Sequence, residues 1–232
     1  MKESLQSGFC FPDPSLANED GLLAIGGNLH ISTLLEAYSA GIFPWYDSSS
    51  PILWWSPDPR MVLFPKELRI SKSLHKIIKS NKFECRFDTQ FKKVIKKCSE
   101  VPRKGQDGTW ITNEMMDAYI QLHEAGYAHS IETYSKNILV GGLYGVSLGG
   151  SFFGESMFHS ITDASKVAFY NLVNHLTDWN FDIIDVQVYT RHLESLGARP
   201  IPRSKFLELI ELSLKVPTRK GKWSFTKEQS GN

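Results

Sequence analysis

Two short runs hold the residues best suited to chemistry. One is Asp185-Val186-Gln187, inside the apolar stretch FDIIDVQV; the other is GGLYGVSLGGSFFGESMF (141–158), which carries the single carboxylate Glu155. In a strand, residues two apart share a face, so the spacing sends Asp185 and Gln187 to one side and Val186 to the other. Buried polar groups need partners. The pair is therefore either a structural hydrogen-bonded couple or a carboxylate that orients an amide toward a substrate. Glu155 is followed by Ser156, Met157 and Phe158. It reads either as a solvent-facing strand end or as a partner for an ammonium group beside an apolar side chain, the two parts of an amino acid. The glycines around it weaken a strand interior. They mark either a tight hairpin or an apolar pocket floored by backbone, with Glu155 as its polar handle.

Other chemistries lack a signature. There is no G-x-S-x-G, no H-E-x-x-H and no P-loop. The seven histidines are scattered, and His159 and His192 read as structural or solvent-facing. Neither a metal site nor a covalent nucleophile is expected.

Four tryptophans form a set, Trp45, Trp54, Trp55 and Trp110, of which Trp45 and Trp110 sit beside turn residues. They either pack in the core or stack nucleobases. Arg69, Lys72, Lys76 and Lys79 recur at helical spacing opposite Leu74, Ile77 and Ile78, and Lys92, Lys93, Lys96 and Lys97 add a second patch. From Lys66 to Lys104 there are 13 Lys/Arg against four Asp/Glu, in a chain whose total charge is only +1. The block is either a solvated face or a surface for phosphates.

The elements that must position these groups follow from pattern. Residues 1–65 are rich in Pro, Gly and Trp and read as a small irregular N-terminal domain. It contains one helix, Ser32–Ala40, capped by Ser32 and closed by Gly41. Residues 66–232 alternate helix and strand: a helix at Ser71–Ser80, the strand FECRFD, a basic helix capped near Thr89 and a helix from Thr112 to Gly126. Strands follow at His129–Tyr134, Ile138–Val146 and Ser151–Glu155. A helix at Asp163–Thr177, the strand FDIIDVQV and a helix from Ser204 to Leu214 come next, and the tail after Pro217 reads as loosely structured. The order predicts an α+β chain with a mixed sheet.

The 232 residues suffice for a real core. No run is long enough to span a membrane, and MKESLQSGFC lacks the apolar core of a signal peptide. Three widely spaced cysteines form no disulfide framework, which favours a reducing, cytoplasmic setting. Nothing requires an oligomer, so a monomer is expected.

The runs FPDPSLANEDGLLAIGGNL, YSAGIFPWY, PILWWSPDPRMVLFP, GTWIT, HEAGYAHSIE, VGGLYGV, FFGESMF, DASK and ESLGARPIPR occur in order from Phe11 to about Leu209. Together they closely resemble the leucyl/phenylalanyl-tRNA–protein transferase family. The resemblance implies transfer of Leu, Phe or Met from aminoacyl-tRNA to the α-amine of proteins that begin with Lys or Arg. The product is then a bacterial N-degron. It further implies a GNAT-type acyltransferase fold for the C-terminal domain, with no ATP, coenzyme A or other cofactor. By the same resemblance Asp185 orients Gln187, Gln187 meets the attacking amine, and Glu155 lies at the aminoacyl site. Leu143, Phe152, Met157 and Leu172 would line the hydrophobic pocket. Trp45 and Trp110 would hold the terminal adenosine of the tRNA. Arg69, Lys72, Lys76 and Lys79 would meet its acceptor stem. An acyl-coenzyme A enzyme of the same fold would need a Q/R-x-x-G-x-G/A loop, which this sequence lacks. A non-catalytic RNA-binding module would leave the glycine-aromatic pocket without a purpose.

Overall fold

The computed structural model describes residues 10–101 and 110–225. Arg103 and Lys104 of the basic block, and Gly108 and Thr109 of GTWIT, lie outside the described residues.

The architecture is α+β. A small sheet near the N-terminus has the order β1-β3-β2, formed by Leu22–Ile25 (β1), Phe43–Pro44 (β2) and Leu53–Trp55 (β3). Helix α1, Ile31–Ser39, packs beside it. The helix starts one residue before the expected Ser32, and that serine is not its cap. Asn28 closes the turn instead, its Oδ1 accepting from His30 N at 3.0 Å and from Thr33 Oγ1 at 2.8 Å. Gly41 follows the helix at φ +71°, where a Cβ would also meet the Leu207 side chain at 2.6 Å.

The large sheet has seven strands in the order β10-β4-β9-β8-β7-β6-β5. They are Arg60–Leu63 (β4), Glu84–Phe87 (β5), Ala128–Ser135 (β6), Ile138–Leu148 (β7), Ser151–His159 (β8), Ile183–Gln187 (β9) and Arg199–Ile201 (β10). Every pairing is antiparallel except β8 with β9, which makes the sheet mixed. Strand β4 falls within the stretch expected to form the N-terminal domain, yet it pairs with β9 and β10 of the large sheet. Strand β8 runs past Glu155 to His159, so Glu155 is interior to its strand rather than at the end.

Helices α2 (Lys72–Lys79), α3 (Phe91–Ser99), α4 (Asn113–Glu124), α5 (Ala164–Asp178), α6 (Arg191–Ser195) and α7 (Arg203–Ser213) complete the fold. Ser71 caps α2 by accepting from Leu74 N at 3.1 Å, and Thr112 caps α4 by accepting from Met115 N at 3.2 Å. The first turn of α3 is held by Glu132, a buried carboxylate on β6 that accepts from the N–H groups of Thr89 and Gln90. The short helix α6 and strand β10 were not foreseen in the sequence. Two apolar clusters form the core. One gathers α1, α3, α4 and α7 with the small sheet; the other gathers α5 with the opposite side of the large sheet.

The tail is a correction to the expectation of loose structure. Trp223 is only 3% exposed. The chain from Pro217 to Phe225 is tied down by Thr218 Oγ1 on Gly149 N, Gly221 N on Gly126 O and Trp223 N on Asp88 Oδ2. Its basic, turn-rich composition hid one aromatic anchor with a buried acceptor waiting for it.

Candidate active site

The site arises where β8 and β9 part. The two strands pair in parallel only over Ser151–Phe153 and Ile183–Asp185. Beyond that point β8 continues to His159 and β9 to Gln187 with no ladder between them. A pocket of about 330 Å³ opens in the gap, lined by residues 154–157 of β8 and 186–188 after the split. That size lies at the lower end of small-molecule sites.

Eight residues singled out in the sequence line this one pocket: Trp45, Trp110, Leu143, Phe152, Glu155, Met157, Leu172 and Gln187. They come from six different elements and loops. The wall is mainly apolar, with Phe43, Phe169, Ile184 and Val186 adding to it. Glycine makes the floor possible. A Cβ on Gly145 would meet Phe152 Cε1 at 2.6 Å, so only glycine lets that ring lie across β7. Gly154, also on the lining, leaves the backbone open to the pocket.

Glu155 is the polar centre. It is 9% exposed. Its Oε1 accepts from Tyr38 Oη at 2.7 Å and from Gln187 Nε2 at 2.8 Å, and its Oε2 accepts from Tyr119 Oη at 3.0 Å. The two tyrosine hydroxyls also touch each other. Burial penalises the charged carboxylate, and the hydrogen bonds from Tyr38 and Tyr119 oppose that only in part. The pKa is pushed up to about 7. The same burial, with Glu155 alongside, holds both tyrosines well above their ordinary value.

Asp185 does not line the pocket, and it does not hold the Gln187 amide as the resemblance implied. Its carboxylate takes a bidentate pair from Arg60, Nε to Oδ1 at 2.9 Å and Nη2 to Oδ2 at 2.7 Å. Its Oδ1 also accepts the backbone N–H of Gln187 at 2.9 Å. The reason is backbone geometry. Gln187 has φ +67°, a left-handed conformation that breaks the two-residue alternation. The amide therefore swings to Glu155 while the backbone stays with Asp185. Val186, expected to face away, is part of the pocket lining, and so is His192. Burial holds the His192 imidazole below its ordinary pKa, with Lys166 and His159 adding to the effect.

Three residues that build the site were not singled out in the sequence: Arg60, Tyr38 and Tyr119. Arg60 is 1% exposed and packs between the rings of Phe43 and Phe206, each centroid 4.6 Å from its guanidinium carbon. A charged residue opening the buried run RMVL is a signal that some carboxylate must answer it. Tyr38 and Tyr119 lie on the apolar stripes of α1 and α4. A tyrosine on such a stripe needs a partner for its hydroxyl.

The basic stripe is elsewhere. Arg69, Lys72, Lys76 and Lys79 are exposed on and before α2, which packs on α5 through Leu74 and the half-buried Ile77 and Ile78. None of the four lines the pocket. Trp54 is fully buried, its Nε1 donating to Gly26 O. Trp55 is half-buried and donates to Trp45 O at 2.6 Å. Both are packing residues. Among the described residues no group of three or more His, Cys, Asp and Glu gathers to hold a metal ion, and no helix is long and apolar enough to cross a membrane.

Comparison with known proteins gives a consistent answer. The family model for the leucyl/phenylalanyl-tRNA protein transferase N-terminal domain matches residues 27–58, and that for leucyl/phenylalanyl-tRNA protein transferase matches residues 62–211. A leucyl/phenylalanyl-tRNA–protein transferase of Myxococcus xanthus is 53% identical over 92% of this chain and 92% of its own. That of Legionella pneumophila is 53% identical over 94% and 97%, and that of an Anaeromyxobacter species 54% over 92% and 91%. Among solved structures the likeness is distant: a functionally unknown conserved protein of Staphylococcus epidermidis superposes with TM-score 0.43 at 7% identity, over 78% of this chain and 68% of that one. With two family models covering most of its length and relatives identical at more than half of the aligned positions, the chain belongs to the leucyl/phenylalanyl-tRNA–protein transferase family.

Proposed function

We propose that this protein transfers Leu, Phe or Met from its aminoacyl-tRNA to the α-amino group of proteins that begin with Lys or Arg. The observation that carries this reading is the pocket. A mainly apolar pocket of about 330 Å³ has one caged carboxylate and one amide at its head, and two tryptophans in its wall. The aminoacyl side chain would enter between Leu143, Phe152, Met157 and Leu172. The terminal adenosine would lie against Trp45 and Trp110, and the acceptor stem along Arg69, Lys72, Lys76 and Lys79. The parallel β8–β9 pair that splits at the site supports a GNAT-type acyltransferase domain. The small N-terminal domain, expected over residues 1–65, would supply Phe43 and Trp45 to the pocket.

The chemistry is light. The ester bond to the tRNA is already activated, so no ATP or coenzyme A is called for. The acceptor α-amine, with an ordinary pKa of about 7.7–8.0, is roughly 10% neutral at pH 7, whereas a lysine side chain near 10.4 is far below 1%. The amine nitrogen bonds to the ester carbonyl carbon, the carbon–oxygen bond to the ribose breaks, and the amine proton leaves on the ribose hydroxyl. Gln187 donates its Nε2 hydrogen to Glu155, so its carbonyl oxygen is the end left to accept from the incoming amine. Holding amine and ester at about 3–3.5 Å supplies the acceleration without a strong base. We place the reaction in the bacterial cytoplasm, where the new N-terminus serves as a degradation signal.

The test is a transfer assay with labelled Phe-tRNA and Leu-tRNA and two acceptors that differ only in N-terminal Arg or Ala. Label on the Arg acceptor alone, without ATP or coenzyme A, is the expected result. Salt-sensitive tRNA binding with no transfer would replace the reading with RNA binding alone.

A further inference from the structure

We infer that Trp223, in the C-terminal tail, is a positioning residue that sets the depth of the aminoacyl pocket through Phe152. The inference rests on the function proposed above for that pocket. Phe152 is fully buried yet contributes to the pocket wall. Gly145 gives it room on the β7 side. Trp223 stands next to it, the two ring centroids 6.0 Å apart and tilted by 41°. Both belong to the apolar cluster that supplies Leu143, Phe169, Leu172, Ile184 and Val186 to the same wall.

Trp223 is itself held firmly. Its backbone N–H donates to Asp88 Oδ2 at 2.7 Å, and its Nε1 donates to Arg219 O at 3.1 Å. The His129 ring stacks on it at 3.7 Å and 10°. His129 Nδ1 bonds the same Asp88 Oδ2 at 2.8 Å, so one buried carboxylate orders both rings. Trp179 meets it edge-on at 5.0 Å, and Phe181 at 6.1 Å. The indole is thus wedged between β6, the end of α5 and Phe152, with its other faces filled. A pocket wall is only as firm as what stands behind it, because packed interiors leave no slack and a removed ring leaves a void into which neighbours relax.

The consequence is selective rather than general. Removing the indole lets Phe152 retreat, which deepens the pocket and favours the longer Phe side chain over Leu. The probes are non-hydrolysable 3′-amide analogues of phenylalanyl-adenosine and leucyl-adenosine, titrated into the full-length protein by calorimetry. Trp223→Ala should shift the ratio of the two Kd values toward Phe by about tenfold, the scale on which a pocket discriminates by size. Trp223→Phe should stay within about twofold of the parent ratio, because most of the wedge remains. A merely structural role would weaken both analogues by the same factor, and that result overturns the inference. Where Trp223→Ala does not fold, Trp223→Leu leaves a smaller void and is read by the same ratio. An unmoved ratio in a protein that still transfers label refutes the inference alone. A moved ratio in a protein that transfers nothing refutes the function and leaves the inference standing. A pocket that binds neither analogue refutes both.

Discussion

Glu155→Gln should change how stability depends on pH, and by an amount the structure fixes. In the folded protein the Glu155 pKa is raised from 4.5 to about 7, burial being the main cause. A raised acid pKa means that the native state holds the proton more tightly than the unfolded chain does. Stability contributed at that site is therefore largest at low pH and is lost as pH climbs from about 4.5 to about 7. At about 1.4 kcal/mol per pKa unit, the loss is about 3 kcal/mol. Glutamine cannot ionise, so the variant lacks this decline. Other titrating groups, such as the buried His175 with its pKa lowered to about 4, are common to both proteins and cancel in the difference. Urea unfolding of both proteins at pH 5, 6, 7 and 8 reads the effect directly. The stability of the variant minus that of the parent should rise by about 2.5 kcal/mol from pH 5 to pH 8, the rest of the change falling below pH 5, and flatten above pH 8. Parallel curves, separated by a constant within about 0.5 kcal/mol, would refute the reasoning, because Glu155 would then titrate alike in the folded and unfolded states.

Arg60→Met should destabilise the fold by about 3–5 kcal/mol, since it strands the Asp185 carboxylate in the core; urea unfolding checks this, and a loss under 1 kcal/mol would mean that water reaches Asp185. Gln187→Glu should cut the transfer rate steeply and introduce a new pH dependence, because it sets a second carboxylate against Glu155; an unchanged rate and profile would dismiss the positioning role of the amide. Trp45→Ala and Trp110→Ala should each weaken aminoacyl-tRNA binding by about 1–3 kcal/mol, the worth of one stacked base, with little effect on unfolding for the half-exposed Trp45. Replacing Lys72, Lys76 and Lys79 together by Gln should lower the slope of log affinity for tRNA against log salt by about 2–3, and an unchanged slope would remove α2 from the interface.

Much of this site was legible because its parts carry local signals. Ser71 and Thr112 open the expected α2 and α4 segments, and each accepts a backbone N–H of the first turn. The glycine-aromatic run betrays a floor that side chains must leave open. What stayed hidden depends on distance along the chain or on a single dihedral angle. Arg60 and Asp185 are 125 residues apart and meet only because β4 lies next to β9. Ser32 looks like a helix cap, yet Asn28, four residues upstream, does the work by folding back on His30 and Thr33. Nothing in the spelling D-V-Q reveals that Gln187 is left-handed, and that one angle reassigns the amide from Asp185 to Glu155. The tail after Pro217 reads as loosely structured because it shows no helix or strand period, but a single tryptophan with a buried acceptor ties it down.

Gln187 is held twice, and the two supports differ in kind. A left-handed residue other than glycine costs about 1–2 kcal/mol, so φ +67° at Gln187 persists only because something over-determines it. Asp185 does so by gripping the Gln187 N–H, and Arg60 in turn fixes Asp185 in two-point contact. An apolar pair of similar volume could fill the same space and pack as well. It could not accept that N–H, so the buried ion pair is explained by the backbone it holds rather than by stability. The amide end is held by neutral donors around Glu155, and among the described residues no cation hydrogen-bonds it to oppose the effect of burial. Protonating Glu155 takes an acceptor from a cage of three donors, and at least one of Tyr38, Tyr119 and Gln187 must then turn. The amide is the member with an open pocket beside it. Acid should therefore disorder the side chain proposed to meet the amine before it disturbs the pocket proposed to hold the amino acid, so that turnover, referenced to the neutral fraction of the acceptor amine, falls below pH 7 more than binding weakens.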